Sequence, residues 1–103
     1  MNRVLVVAYR PLPGKKEALL ELLERQHRHA RAMGVLASQA PWLCEGIHGE
    51  ILYIVGFDVG ADVDRLWENE DFQDIDAQIA NIATMIPIRS LDEASASFMD
   101  LAG

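Results

Sequence analysis

The chain has 103 residues, half of them hydrophobic and 24% charged. That supports one domain over residues 1–103 and is too apolar for disorder. Sixteen acidic residues against nine basic ones give a formal charge of −7, a field that repels phosphate and argues against nucleic acid and anionic membranes as partners.

A single cysteine, Cys44, cannot form an internal disulfide, which suits a reducing compartment. Val4 to Ala8 is an apolar run of only five residues, too short for the core of a signal peptide. No apolar run approaches the roughly 20 residues that span a bilayer. A cytoplasmic protein is expected.

Residues 3–10, RVLVVAYR, are apolar and β-branched at nearly every position, the pattern of a strand covered on both faces. Pro11-Leu12-Pro13-Gly14 ends it. From Lys15 to about Met33 the period is helical. Leu19, Leu22, Leu23, Gln26, Ala30 and Met33 share one side, and Glu17, Glu21, Glu24, Arg28 and Arg31 lie opposite. Gly34 is the expected stop. Arg25, Arg28 and Arg31, interleaved with His27 and His29, follow the early glutamates in an order that matches the helix dipole.

Residues 35–44, VLASQAPWLC, form a weaker strand pattern. Pro41 cannot donate to a ladder, so this strand is expected at an edge or bulged. Glu45 to Gly49 carries two glycines and reads as a hairpin turn, and residues 50–58, EILYIVGFD, are a strong strand. Asp62 is a candidate N-cap for a second helical region, with a break near Asn69-Glu70-Asp71. Phe72, Ile75, Ile79, Ile82 and Ile86 then repeat at helical spacing as far as Pro87. A fourth strand is expected over roughly Glu93 to Leu101.

The order strand-helix-strand-strand-helix-strand predicts an α+β, ferredoxin-like βαββαβ domain with an antiparallel sheet. The third strand carries Ile51, Tyr53, Val55 and Phe57 on one face and Leu52, Ile54 and Gly56 on the other. Both faces want cover, the helices supply one, and a second copy of the chain is the natural other.

The opening VLVVAYRPLPGKKEALLELL, the hairpin ending YIVGFD and the stretch LWENEDFQDIDAQI followed by a last strand resemble the dimeric α+β barrel superfamily, in its antibiotic biosynthesis monooxygenase-like (ABM) group. The resemblance covers nearly the whole chain through element order and hydrophobic texture. It implies a homodimer whose sheets face each other and a small cavity between sheet and helices in each subunit. That architecture serves cofactor-free oxygenases of aromatic polyketides, haem degraders, lactone isomerases and proteins without a known activity, so fold alone does not choose. The haem-degrading branch implies an asparagine late in the first strand, then a tryptophan followed by a histidine in the second helical region. Here the first strand ends Ala8-Tyr9-Arg10 and no histidine follows Trp67, which disfavours that branch.

His27 borders the apolar stripe of the first helix. Its ordinary pKa near 6.5 suits proton transfer if it points into a cavity, although a border histidine also serves as a packing residue. Tyr9, ending the first strand, is the second catalytic candidate. Gln26, polar within an apolar face, needs a partner, which is either a strand backbone or a ligand. Trp42 and Trp67 are large enough to wall an aromatic ligand, although packing in the core or at a dimer interface is the commoner use of such residues. Asn69 is a ligand-binding candidate that equally suits a cap. His27 and His29 are two apart and cannot share a metal as an i, i+4 pair would, and no cysteine or carboxylate stands at matching spacing, so no metal is expected; the resemblance to cofactor-free oxygenases implies no cofactor.

Three functions fit these residues. One is a cofactor-free, monooxygenase-like enzyme or isomerase acting on a small apolar or aromatic metabolite. The second is a non-catalytic dimeric module that binds such a ligand, and the third is a purely structural dimerisation domain with a filled core.

Overall fold

A computed structural model of the chain describes residues 3–37, 41–58, 60, 62–88, 91 and 100–101. Its elements are β1 (Arg3–Pro11), α1 (Lys16–Ala32), β2 (Trp42–Glu45), β3 (Ile51–Phe57), α2 (Val63–Trp67), α3 (Glu70–Ile82), β4 (Ala83–Ile86) and β5 (Asp100–Leu101). The strands form one antiparallel sheet in the order β4-β1-β3-β2-β5. With α1 and α3 packed together on one face, the β4-β1-β3-β2 part makes an α+β architecture compatible with a ferredoxin-like fold. No helix among the described residues is long and apolar enough to cross a membrane.

The apolar runs of β1 and β3 pair over seven positions, from Arg3 opposite Phe57 to Tyr9 opposite Ile51. Successive side chains alternate between faces, so this register sorts the residues into two sets. Leu5, Val7 and Tyr9 face the helices with Ile51, Tyr53, Val55 and Phe57, and these four β3 side chains are all buried. Val4, Val6 and Ala8 lie on the outer face with Leu52, Ile54 and Gly56.

Helix α1 lays Leu19, Leu22, Leu23, Gln26, His27 and Ala30 into the interior, so the apolar stripe read from the sequence is the buried one. It stops at Gly34, whose φ of 75° suits a residue without Cβ, with the Gly34 N–H donating to the Arg31 carbonyl. Arg65 on α2 donates from Nη2 to the Met33 carbonyl at 2.6 Å, giving the exposed end of α1 a cationic partner. Asp62 caps α2 by accepting from Arg65 N, and the helical region does break at Asn69.

Two expectations are corrected. The second strand is shorter than residues 35–44. Leu36 makes only an isolated bridge to Phe57, and regular pairing begins at Trp42 opposite Ile54, immediately after Pro41. Residues 38–40, between these two pairings, lie outside the described residues, and β2 sits between β3 and β5 rather than at an edge.

The fourth strand along the chain comes earlier than the expected Glu93 to Leu101, at Ala83–Ile86. The helix expected to run to Pro87 ends at Ile82, and Ala83–Ile86 turns at once into β4 and pairs with Pro11–Ala8 of β1. The other edge of β1 carries backbone groups that need partners, and the extended tetrapeptide with β-branched Thr84 and Ile86 supplies them. Residues 93–99 of the expected strand lie outside the described residues. Asp100–Leu101 pair with β2, at the opposite end of the sheet.

Candidate functional site

The helices do not fill the space above the sheet. A cavity of about 480 Å³ remains between the inner face of the sheet, α1 and the α2–α3 layer, within the roughly 300–1,000 Å³ of small-molecule sites. Leu5, Val7, Val55 and Phe57 form its floor, with Ala30, Leu36 and Leu66 among its walls. Met85 and Ile88, both largely exposed, lie at its margin. The surface is mainly hydrocarbon, interrupted by Tyr9, Gln26, Tyr53 and Asp76.

Tyr9 and Tyr53 arrive side by side because of strand register. Tyr9 pairs with Ile51 and Tyr53 with Val7, so the two phenols are diagonal neighbours on the inner face. Both side chains are buried. Burial, and secondarily the negative charge of Asp76, pushes Tyr9 up to about 12. Burial, and secondarily Tyr9, also pushes Tyr53 well above the ordinary phenol value. Both are therefore protonated at neutral pH and present O–H donors.

His27 does not belong to the cavity wall. It stands behind Tyr53, with Nδ1 3.0 Å from the Tyr53 hydroxyl and the two rings edge to face at 86°. The pair shares one proton across that distance, the direction set by the imidazole tautomer. Burial, reinforced by the charge of Arg31, lowers the His27 pKa below its usual value. Any role for His27 in the cavity therefore runs through Tyr53.

Gln26 does line the cavity, but its partner is neither a strand backbone nor open space. Its Nε2 donates to Oδ1 of Asp76 at 3.3 Å, joining α1 to α3. Trp67 contributes an aromatic wall, packing at 5.3 Å against Phe72 and 6.3 Å against Phe57 between ring centroids. Among the described residues no group of three His, Cys, Asp or Glu side chains gathers in a way that could hold a metal ion.

Trp42 and Asn69 are not brought to this place. Trp42 pairs with Ile54 on the outer face and is 57% exposed. Asn69 caps α3 by accepting from Phe72 N at 3.0 Å, and the same Oδ1 lies 2.8 Å from His29 Nε2. A carbonyl oxygen only accepts, so His29 carries a proton on Nε2 and ties α1 to the start of α3. Asn69 is thus the cap that the sequence suggests.

Two site residues escaped the sequence reading, Tyr53 and Asp76. Tyr53 had a signal, since a hydroxyl stood on the otherwise apolar face Ile51, Val55, Phe57. Asp76 had a fainter one, lying four residues after Phe72 and three before Ile79 and so bordering the buried stripe.

Against protein-family models, curated proteins and solved structures, the chain finds no match.

Proposed function

We propose that the chain is a small cofactor-free, monooxygenase-like enzyme whose cavity takes a small apolar or aromatic metabolite. The carrying observation is the apolar cavity of about 480 Å³ into which two buried, protonated phenols are set. A phenol held neutral in apolar surroundings stabilises negative charge that develops on a substrate oxygen. Tyr9 fills that role. Tyr53 relays a substrate proton to His27 Nδ1 when the imidazole carries its own proton on Nε2. The cavity weighs against a domain that is only structural, because such a domain would have a filled core.

The assembly proposed with this reading is a homodimer, in keeping with the resemblance to the dimeric α+β barrels. The outer face supports it, with Val4 at 63% exposure and Trp42 at 57% beside Val6 and Ile54, an apolar surface of the kind that marks association. A dimer mass by sedimentation that falls to the monomer in Val6→Glu is expected, and a monomeric wild type contradicts it. Cytoplasmic residence belongs to the same proposal and rests on the lone, reduced Cys44.

The test of activity is oxygen uptake with anthrone, a tricyclic ketone whose activated methylene loses a proton before it meets dioxygen, giving anthraquinone and water. Uptake above the protein-free rate that drops at least about tenfold in Tyr53→Phe supports the enzyme. An unaltered probe that nonetheless raises the melting temperature supports the second reading, a non-catalytic ligand-binding module. One observation favours that second reading: His27 is separated from the cavity by Tyr53.

A further inference from the structure

The cavity has a charge as well as a shape. Among the described residues, no lysine, arginine or histidine lines it, and the one carboxylate that does is Asp76. Asp76 is exposed, accepts a hydrogen bond from the neutral amide of Gln26, and forms no salt bridge among the described residues. The aromatic rings of Trp67, Phe72 and Phe57 line the same cavity, packed against one another. Their faces attract cations, most strongly the indole of Trp67. A carboxylate and aromatic faces bordering one apolar space favour positive charge and disfavour negative charge on whatever enters it.

We infer that the cavity is a site for an apolar amine, its protonated nitrogen held against Asp76 and its hydrocarbon part among Trp67, Phe72 and Phe57. The inference rests on the cavity reading above and narrows it, because a neutral ring would suit the apolar walls without using Asp76. A carboxylate-bearing ligand would bring a second negative charge to a wall that holds no cation to meet it. Tyr9 stays free to donate to an oxygen or a π-face elsewhere on the same ligand, and Tyr53 does so in the tautomer in which His27 Nδ1 donates to it.

The test compares three ligands that share one ring and differ in charge: 1-naphthylmethylamine, 1-naphthalenemethanol and 1-naphthylacetate. They are titrated into the whole chain by calorimetry at neutral pH. The amine is expected to bind about tenfold tighter than the alcohol, with the acetate weakest. In Asp76→Asn the amine should lose that advantage while the alcohol binds as before. Asp74→Asn, the same charge change on an exposed residue of α3 outside the cavity wall, should keep the advantage.

Equal binding of amine and alcohol, or tighter binding of the acetate, overturns the inference and leaves the cavity reading standing. So does an amine preference that survives Asp76→Asn, which removes Asp76 as the partner, or one that falls as far in Asp74→Asn, which traces the preference to the net charge of the whole protein. If none of the three ligands binds, the cavity reading itself fails and the inference goes with it.

Discussion

The two faces of the sheet are built from the same kinds of residue and meet different fates. On β3 the inward set Ile51, Tyr53, Val55, Phe57 is buried throughout, whereas Leu52, Ile54 and Gly56 on the outer face are only half-buried. On β1 the contrast is less clean. Val4 stands open on the outer face, yet Leu5 and Val7 on the inner face are half-buried too, because they floor a cavity where a helix side chain could have sat. Apolar alternation therefore says which residues leave water together. It does not say how completely the opposite layer fills the space they leave, and in this molecule that shortfall is the cavity.

The largest expected effect separates the packed part of the inner layer from the open outer face. Leu23→Ala removes a fully buried side chain and should cost about 2–5 kcal/mol in urea unfolding. Val4→Ala should stay within about 0.5 kcal/mol at protein concentrations low enough to hold the chain monomeric, where its face is open to water. A cost at Val4 approaching that at Leu23, and growing with protein concentration, would show that another copy covers it.

Next in size is Tyr53→Phe, which leaves the buried Nδ1 of His27 without its hydroxyl partner. A loss of about 1–3 kcal/mol is expected. A neutral result would mean that water replaces the phenol and that this end of the inner layer is wetter than its burial suggests.

The smallest effect is a pH dependence. The folded-state pKa of His27 lies below its ordinary 6.5, through burial first and the charge of Arg31 second. The folded protein therefore resists a proton that the unfolded chain accepts. The stability contributed by neutral His27 is present above pH 6.5 and is lost as the pH falls below 6.5 through the lower folded value. Melting temperature should decline over that window, and His27→Gln should flatten part of the decline. An unchanged slope in the variant would place the titrating group elsewhere.

Much of this was legible because it is local. The stripe on α1, the stop at Gly34 and the caps Asp62 and Asn69 follow from spacing and from backbone groups that want partners. Tyr9 and Gln26 were placed at the cavity from their positions in a strand and a stripe.

What failed to show is tertiary. Ile82 and Ile86 continue the helical spacing of Ile75 and Ile79, so nothing within Ala83–Ile86 announces β4. The open edge of β1 decides its conformation, and that edge is more than seventy residues away in sequence. Asp76 meets Gln26 across fifty residues, and His27 falls behind Tyr53 only once β3 is in register with β1. The place of Trp42 on the outer face was hidden for a related reason. An aromatic residue on a strand is read as a wall before it is known which face of that strand the helices cover.

The most direct test of the central claim, that two phenols are enclosed in the cavity, is a spectrophotometric titration of tyrosinate. The chain's two tyrosines are Tyr9 and Tyr53, so no other phenol contributes. Their raised values mean that the folded state resists an ionisation that the unfolded chain undergoes around pH 10. The stability they contribute is therefore present below 10 and is lost as the pH rises toward about 12 for Tyr9. The folded protein, checked by far-ultraviolet dichroism at each point, should show almost no tyrosinate at pH 10, where the same chain in denaturant is half ionised. A folded chain that ionises either tyrosine near 10 would place that phenol in water and contradict the enclosed site.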